Sequence, residues 1–292
     1  MPGISIVGTA LCKWHFEAGE GGGRRFGRKE RGAGPDGLRQ VRAWPSEVLI
    51  ELEGSIMAAI MDRIAAYDWD EIGQSLDVRG WARLPALLSS DECAAISALY
   101  GPGELFRSHV VMARHGFGRG EYRYFAYPLP DIVQNLRAAL YPCLLPTANR
   151  WHERMNVAAR FPESHEAFLE RCHAAGQTRP TPLLLQYGPS DYNCLHQDIY
   201  GAVAFPLQLT AFLSRPDRDF SGGEFLLVEQ RPRAQSRGEV MAPQQGEIVI
   251  FATRHRPVQG SRGHYRVNMR HGVSTVHSGS RFTLVVIFHD AQ

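Results

Sequence analysis

The chain has 292 residues, of which 44% are hydrophobic and 21% charged, and its formal net charge at pH 7 is +2. This composition is ordinary for one globular domain with an extension, and the near-neutral balance excludes overall charge as a basis for nucleic-acid binding. No apolar run approaches the ~20 residues that a membrane-spanning helix requires, so we expect a cytoplasmic protein.

The first 56 residues differ in composition from the rest of the chain. Residues 19–37 are rich in glycine and arginine and have no hydrophobic period, so they cannot bury enough surface to offset their chain entropy. We interpret 1–56 as a disordered extension, or as the product of a start codon assigned too far upstream, with Met57 or Met61 as the native start. The functional alternatives are a basic arm for nucleic acid and a tag for a partner.

The five cysteines indicate a reducing compartment, because their number is odd and no CxxC pair occurs. Without a second cysteine nearby, a structural zinc site is not expected. Cys194 stands two residues before His196, where a sulfur ligand is conceivable. A buried small residue is the interpretation we favour there.

The first half of the domain, 57–177, is predicted to be a largely helical support. A capping box at Ser89–Glu92 opens a helix that runs to about Tyr100. The other predicted helices are Met57–Ala66, Asp131–Tyr141, Ala148–Ala159 and Ser164–Ala174. We also predict a strand over Val78–Leu84 and β-like structure over Arg107–Tyr127, with a Gly116–Gly120 loop suited to covering a substrate.

The second half, 178–292, is predicted to be a run of short strands. The predicted strands are 182–187, 193–198, 205–214, 223–229, 247–252, 264–270, 272–276 and 282–288. Helices followed by eight short strands favour a mostly β protein with flanking helices (α+β), whose core is a double-stranded β-helix of the jelly-roll or cupin-like type. We therefore expect 57–292 to form a single domain.

Two separated motifs carry the candidate chemistry. His196 and Asp198 lie two apart, so both can point to the same side of a strand and reach one metal ion. Non-haem iron that activates oxygen is held by two histidines and one carboxylate, and His271 can supply the third ligand. Further on, Arg281 and Thr283 also share a face, and a guanidinium beside a hydroxyl suits the distal carboxylate of a dicarboxylic keto acid.

These motifs resemble those of the iron(II)/2-oxoglutarate dioxygenase superfamily, and in detail its prolyl-hydroxylase and PKHD-type branches. The matching pieces, in order, are His196/Asp198, Gly222-Gly223-Glu224, Gly246-Glu247 with the strand to Phe251, and His271…Val276…Gly279…Arg281. The string from Leu195 to Asp198 and the basic loop before His271 also resemble the oxidative demethylases of alkylated nucleobases. The stretch from about Asp68 to Ala291 resembles a bacterial oxygenase family assigned to the repair of damaged nucleic acid.

The resemblance implies Fe(II), 2-oxoglutarate and O2 as cofactor and cosubstrates, with ascorbate as an optional addition. The family places its arginine ten residues after the last ligand, which favours His271 over the nearby His277 and His289. Tyr187 stands nine residues before His196, where relatives place a tyrosine that hydrogen-bonds the keto acid. The alternative for Tyr187 is a core residue.

Two arginine clusters bear on the substrate. One interleaves arginines with aromatic residues between Arg107 and Tyr127, and the other follows Glu247, after which no acidic residue occurs until Asp290. Arginines for phosphate and aromatic faces for stacking suit an extruded base, with Arg123, Tyr124, Tyr127 and Arg266 as candidate contacts. Alternatively, both clusters are ordinary solvated surface.

Three functions therefore remain open. The first is oxidative demethylation of alkylated bases in DNA or RNA, which the resemblance over most of the chain favours. The second is hydroxylation of a protein, of the prolyl type, or of an amino acid or other small molecule. The third is a metal-bound sensor without turnover. We expect a monomer that does not contact a membrane.

Overall fold

The computed structural model describes residues 57–101 and 103–292, and the extension predicted for 1–56 lies outside the described residues. The helices are 57–65 (α1), Trp69–Arg79 (α2), Ser90–Ala98 (α3), Asp131–Arg154 (α4) and His165–Ala174 (α5). The capping box at Ser89 and Glu92 is present at the start of α3. None of the helices in the described ranges is both long enough and apolar enough to cross a bilayer.

The strands form two large antiparallel sheets and one short ribbon. In chain order they are Trp81–Leu84 (β1), Phe106–Val111 (β2), Gly118–Arg119 (β3), Glu121–Phe125 (β4), Leu183–Tyr187 (β5), Tyr192–His196 (β6), Leu207–Phe212 (β7), Phe220–Gly222 (β8), Phe225–Gln230 (β9), Arg237–Met241 (β10), Ile248–Ala252 (β11), His255–Gly260 (β12), Gly263–Val273 (β13), Val276–Gly279 (β14) and Arg281–Ile287 (β15). The major sheet has the order β1-β11-β7-β15-β5-β4-β2. The minor sheet has the order β10-β9-β13-β6-β3, with β12 paired to β13, and β14 pairs with β8. The double-stranded β-helix predicted from the sequence is confirmed.

The major sheet is covered on both faces, and this explains its composition. Every residue of β7 and of β11 is buried; β11 is accordingly a continuous apolar run, whereas β7 also carries two buried polar side chains, Gln208 and Thr210. One face packs against the helices in the main hydrophobic core. Side chains of the other face line a cavity whose opposite wall belongs to the minor sheet. The fold thus places a cavity between two sheets; the helices pack against the outer face of the major sheet and also contact β12 of the minor sheet.

Helix α4 corrects a prediction. We predicted separate helices over Asp131–Tyr141 and Ala148–Ala159, but Asp131–Arg154 is one helix, which runs through Pro142 and Pro146. Both prolines are exposed, so the carbonyl groups they free face water. An interior proline costs ~3 kcal/mol. The opposite face of α4 buries apolar side chains from Val133 to Trp151, at roughly 1.5–3 kcal/mol for each large one, and this burial outweighs both prolines.

Other boundaries also differ from the prediction. The sequence reasoning missed α2, although Asp68 caps its first turn and Gly80 ends it in the left-handed conformation. It missed the strands β10 and β12 as well, and it divided β13 at His271. The 57–177 half also contributes β1, β2 and β4 to the major sheet, so it is more than a helical support.

A buried ion pair ties the end of β15 to α4. The side chains of Arg137 and Asp290 are both fully buried, and their Nη2 and Oδ1 atoms are 2.7 Å apart. Arg137 also donates to the carbonyl oxygens of Ile287 and Phe288. The guanidinium is therefore hydrogen-bonded from several sides, as a buried charge requires.

Replacing Arg137 by methionine is expected to destabilise the protein strongly. The Arg137→Met variant removes the buried cation of Asp290 and leaves it only the exposed imidazole of His173, at 2.9 Å. Breaking a buried ion pair in this way costs about 3–5 kcal/mol. Urea unfolding of the variant and the wild type measures the difference. A loss below about 1 kcal/mol would contradict the assignment of this pair as a structural anchor.

Candidate metal centre

Two histidines meet across neighbouring strands of the minor sheet. His196 on β6 is the direct cross-strand partner of His271 on β13, and the centroids of their rings are 4.1 Å apart. Gly272 permits this approach, because a Cβ atom there would lie only 2.7 Å from the carbonyl oxygen of Asn193. Strand pairing thus brings together two imidazoles that are far apart in the sequence.

Asp198 completes the cluster from just outside the strand. We predicted one strand over 193–198, but β6 ends at His196 and Asp198 follows in a loop. Its two carboxylate oxygens nevertheless lie 3.6 Å from Nε2 of His196 and 3.1 Å from Nε2 of His271. Gln197 turns away and donates to the carbonyl oxygen of Met269. Within the described ranges, these three are the group of residues whose ligand atoms come close enough to hold a metal, all within 4.8 Å of one another.

The surroundings favour the protonation states that a metal requires. Burial raises the pKa of the Asp198 carboxyl, but the imidazoles of His271 and His196 and a hydrogen bond from Tyr200 outweigh burial, and the pKa lies well below its usual range. Burial, and then the neighbouring His196, lower the pKa of His271. An ionised carboxylate and a neutral imidazole are the forms in which these side chains bind metal.

Backbone and side-chain hydrogen bonds fix the orientation of the cluster. Nδ1 of His196 lies 2.8 Å from the carbonyl oxygen of Cys194, so this nitrogen carries the proton and Nε2 is left with its lone pair. The Tyr200 hydroxyl donates to Oδ1 of Asp198 at 2.9 Å and accepts from the Tyr124 hydroxyl at 2.9 Å. Cys194 is exposed, contrary to the expectation that it is a buried small residue.

We expect the Tyr200→Phe variant to bind divalent metal about 10- to 100-fold more weakly, because loss of a hydrogen bond to a ligand typically has this effect. Isothermal titration with manganese(II) measures the change. Tyr122→Phe is the matched control, since Tyr122 lines the same cavity without a hydrogen bond to Asp198. Equal affinities for the two variants would show that the Tyr200 hydroxyl does not position Asp198.

A buried arginine lies on the opposite wall of the cavity. Arg281 on β15 is 2% exposed, and its guanidinium lies 5.3–5.8 Å from the ring centroids of Tyr187, Phe212 and Phe220. Burial lowers its pKa to about 10, so it remains charged at neutral pH. No hydrogen-bond acceptor among the described residues meets its Nε or Nη1 atoms. Such a charge needs an anion from outside the chain.

Three further side chains surround this guanidinium or face the same space. Tyr187, the cross-strand partner of Arg281, accepts a hydrogen bond from Nδ2 of Asn193 at 3.2 Å, which leaves its own proton available to the cavity. Thr283 and Thr210 are buried and line the cavity as well. Gly223 makes room for the arginine, because a Cβ atom there would lie 3.0 Å from Cδ of Arg281.

The cavity has a volume of about 370 Å³ and joins the two sets of residues. This volume falls within the usual range for small-molecule sites. The sequence reasoning missed Tyr200, Thr210 and Asn193. Tyr200 carried a signal, since it continues the every-second-residue spacing of His196 and Asp198. Thr210 and Asn193 carried none, because neither belongs to a motif.

Only one of the four predicted substrate contacts lines the cavity. Tyr124 does, whereas Arg123 donates to the carbonyl oxygen of Tyr100 at 2.7 Å on the other face of β4. The Tyr127 hydroxyl is bound to Asp290, beyond the end of that strand. Arg266 donates to the carbonyl oxygen of Met155. Arg266 is an odd number of residues from His271 on the same strand, so it points to the opposite face.

The two competing histidines lie outside the cluster. His277 is exposed on β14. His289 is fully buried; its Nδ1 accepts from the backbone N–H of Phe205, and burial lowers its pKa to about 4. The structure therefore brings His271, and neither alternative, to His196 and Asp198.

Comparison with known proteins gives matches at three levels. A family model described as "oxygenase, catalysing oxidative methylation of damaged DNA" matches residues 120–291, more than half of the chain. The uncharacterized proteins MT2286 and Rv2227, from two strains of Mycobacterium tuberculosis, are each 53% identical over 167 residues, which is 57% of this chain and 72% of theirs.

Solved structures also match, at low sequence identity. A prolyl-4-hydroxylase of Pseudomonas putida is 15% identical with a TM-score of 0.47, and covers 77% of this chain and 100% of its own. A prolyl hydroxylase of Trichoplax adhaerens, in complex with a peptide fragment of the hypoxia inducible factor oxygen degradation domain, is 13% identical with the same TM-score, and covers 79% of this chain and 92% of its own.

A double-stranded β-helix holds two histidines and a carboxylate that face a buried arginine across its cavity. The matched family model places the protein among the oxygenases. More particularly, it belongs to the oxygenase family whose description is oxidative methylation of damaged DNA.

The residues of the cavity fit iron(II) and 2-oxoglutarate. The nitrogen and oxygen donors of the cluster suit ferrous iron. The unpaired N–H groups of Arg281 suit a carboxylate, which they can bind with two parallel hydrogen bonds.

Proposed function

We propose that this protein removes methyl groups oxidatively from alkylated bases of nucleic acid. In this proposal His196, Asp198 and His271 hold the iron, and Arg281 holds the distal carboxylate of 2-oxoglutarate with help from Thr283 and Tyr187. Iron(II) with 2-oxoglutarate and oxygen supplies the oxidising power to hydroxylate a C–H bond, with release of succinate and carbon dioxide. On an N-methyl group the hydroxylated carbon then leaves as formaldehyde, and the base is restored.

The observation that carries this proposal is the family match over residues 120–291, which covers the cavity from Tyr122 to Val285. The shape of the cavity supports it. Beyond the cluster, the space is walled by the rings of Tyr122 and Tyr124, which meet edge to face, and by Leu183 and Leu185. Flat aromatic and apolar walls suit a planar base that has been turned out of its strand.

The chain's own residues have defined tasks in this reaction. Tyr200 orients Asp198, and the Cys194 carbonyl orients His196, so the ligands are held before metal arrives. The apolar walls keep water away from the reacting carbon. The position of Arg281 determines where a keto acid can bind, because its buried guanidinium is the positively charged group that lines the cavity.

The proposal is tested by offering two substrate classes side by side. Oligonucleotides that carry N-methylated bases, and proline-containing peptides, are each incubated with protein, iron(II) and 2-oxoglutarate. We expect formaldehyde and succinate in equal amounts from a methylated oligonucleotide, and no peptide that has gained an oxygen atom. Hydroxylated peptide with no formaldehyde from any methylated base would assign the protein to the prolyl-hydroxylase type. Absence of iron-dependent succinate with every substrate would favour a sensor without turnover.

A further inference from the structure

The carboxylate of the candidate metal centre stands in a segment without regular structure. Residues 197–206 form neither helix nor strand, so strand pairing does not fix the position of Asp198 as it fixes His196 and His271. Much of the segment is buried or half-buried, and buried backbone groups need hydrogen-bond partners. The side chains that supply these partners therefore help to decide where Asp198 lies.

One of these side chains, Gln177, holds the middle of the segment. Its Nε2 atom donates to the carbonyl oxygen of Val203 at 2.9 Å, and its Oε1 atom accepts from the backbone N–H of Val203 at 2.8 Å. The amide thus pairs with both backbone groups of one residue, as a neighbouring strand would. Gln177 is fully buried, so bulk water does not compete for these hydrogen bonds.

A third hydrogen bond of this amide connects the segment to the ion pair between α4 and the end of β15. The Nε2 atom of Gln177 also donates to the carbonyl oxygen of Asp290 at 2.6 Å. The carboxylate of Asp290 is held in turn by the buried guanidinium of Arg137. Gln177 therefore uses both of its N–H groups and its oxygen, so little freedom is left for the amide to turn.

The end of α5 explains how Gln177 reaches this position. Gly176 adopts the left-handed conformation, with a φ of 80°, and its backbone N–H donates to the carbonyl oxygen of His173. The backbone N–H of Gln177 donates to the carbonyl oxygen of Cys172. Together these two bonds form a Schellman motif, which ends the helix and turns the chain. The backbone of Gln177 is thus fixed independently of its side chain.

Close packing extends the hold from Val203 toward Asp198. The amide of Gln177 lies directly against Gly201, where a Cβ atom would be only 2.7 Å from Nε2 of Gln177. The residue before Gly201 is Tyr200, whose hydroxyl donates to Oδ1 of Asp198 at 2.9 Å. The amide therefore acts on the carboxylate through a short stretch of backbone and one tyrosine side chain.

We infer that Gln177 is a positioning residue for Asp198 and, through it, for the metal. The inference rests on the ligand set of the proposed function and not on its substrate. Without the amide, residues 197–206 lose a buried attachment in their middle, and the carboxylate is held less firmly against the two histidines. Metal binding must then order the segment, and the entropy lost in doing so lowers the metal affinity.

Titration of the protein with manganese(II) tests the inference. Gln177→Met nearly keeps the length of the side chain and removes its hydrogen bonds. We expect it to bind manganese about 10-fold more weakly, the lower end of the range for groups that support a metal ligand. Gly201→Ala keeps Gln177 but displaces its amide, and we expect a loss of similar size. The combined variant should lose little more than either single variant, because both changes break the same contact.

Asn149 provides a matched control, because its amide holds a backbone in the same way but outside the cavity. Its Oδ1 atom accepts from the backbone N–H of Phe161 at 2.8 Å, and its Nδ2 atom donates to the carbonyl oxygen of Phe161 at 3.4 Å. Asn149→Leu should lose stability in urea, as Gln177→Met does, yet keep the manganese affinity of the wild type.

The absorption spectrum of the cobalt(II) protein gives a second measurement, since the colour of bound cobalt depends on the arrangement of its ligands. We expect the spectrum to change in Gln177→Met and Gly201→Ala and to stay the same in Asn149→Leu. Unchanged manganese affinity in Gln177→Met and Gly201→Ala, or an equal loss in Asn149→Leu, would overturn the inference. If Gln177→Met does not fold, Gly201→Ala decides by the same criterion.

The outcomes separate this inference from the proposed function. If Gln177→Met and Gly201→Ala bind manganese weakly but the wild type yields no formaldehyde from any methylated base, the role of Gln177 stands and demethylation fails. If the wild type demethylates and both variants bind manganese as tightly as it does, demethylation stands and the role of Gln177 fails. Absence of manganese binding by the wild type would overturn both.

Discussion

Replacing Arg281 by methionine is expected to abolish tight binding of 2-oxoglutarate without unfolding the protein. Each hydrogen bond between charged groups contributes ~1.5–3 kcal/mol. Loss of the two hydrogen bonds from Arg281 to the distal carboxylate therefore weakens binding of 2-oxoglutarate roughly 100- to 10,000-fold. Before a cosubstrate binds, however, the guanidinium is a buried charge with two unsatisfied nitrogen atoms, Nε and Nη1. Removing it relieves that cost, while the cation–π contacts that are lost are worth up to about 2 kcal/mol. We expect the free energy of unfolding of the Arg281→Met variant to stay within about 1 kcal/mol of the wild type or to rise.

The two buried arginines serve as controls for each other. Arg137 is paired and Arg281 is not, so the same substitution should cost stability at Arg137 and cosubstrate affinity at Arg281. Urea unfolding without cosubstrate, and thermal shift with manganese(II) and 2-oxoglutarate, measure both quantities. A large loss of stability in Arg281→Met together with an unchanged response to 2-oxoglutarate would mean that Arg281 is a structural residue.

Replacing His271 by alanine is expected to eliminate the metal site. Loss of a hydrogen bond to a ligand costs about 10- to 100-fold in metal affinity, so loss of the ligand itself should exceed 100-fold. His277→Ala is the matched control, since His277 is exposed and lies outside the cluster. Titration with manganese(II) and the amount of iron that copurifies with each variant give the result. The ligand assignment is wrong if His277→Ala loses metal and His271→Ala retains it.

The residues that could be predicted from the sequence are those whose spacing reflects the geometry of a strand. Arg281 and Thr283 lie two apart on one strand, and the structure buries both along the cavity. Asp198 reaches the cluster by a different route, from a loop after β6. Asp198 lies beside the two histidines although the predicted strand was too long, because a short loop can place a side chain as well as a strand can.

The substrate contacts could not be predicted because alternation does not say which face of a strand meets the cavity. Arg123 lies between Tyr122 and Tyr124, so if the tyrosines face the cavity the arginine cannot. Nothing in the local sequence decides between these two arrangements. For Arg266 the information was present. If β13 had been predicted as one strand that includes His271 and Gly272, the odd number of residues from Arg266 to His271 would have placed Arg266 on the face away from the cavity.

Helix α4 and the missed strands show a different limit. Pro142 and Pro146 disfavour a continuous helix locally, and the burial of the opposite face of α4 outweighs them. Strand β10 is mostly exposed and is held by its pairing with β9. Such elements depend on contacts between distant parts of the chain, which the local sequence does not record.

The order of strands in the major sheet has a practical consequence for anyone who prepares a shortened protein. The segment matched by the family model starts at residue 120, whereas β1 and β2 come before it and flank β11 and β4. A fragment that starts at residue 120 would lose both outer strands of the major sheet. Strands β4 and β11 would then become unpaired edge strands, and β11 is wholly apolar. Exposed edge strands of this kind pair with those of other molecules, so the fragment should aggregate, whereas the chain from residue 57 should remain monomeric. The stretch recognised by similarity is therefore shorter than the unit that folds.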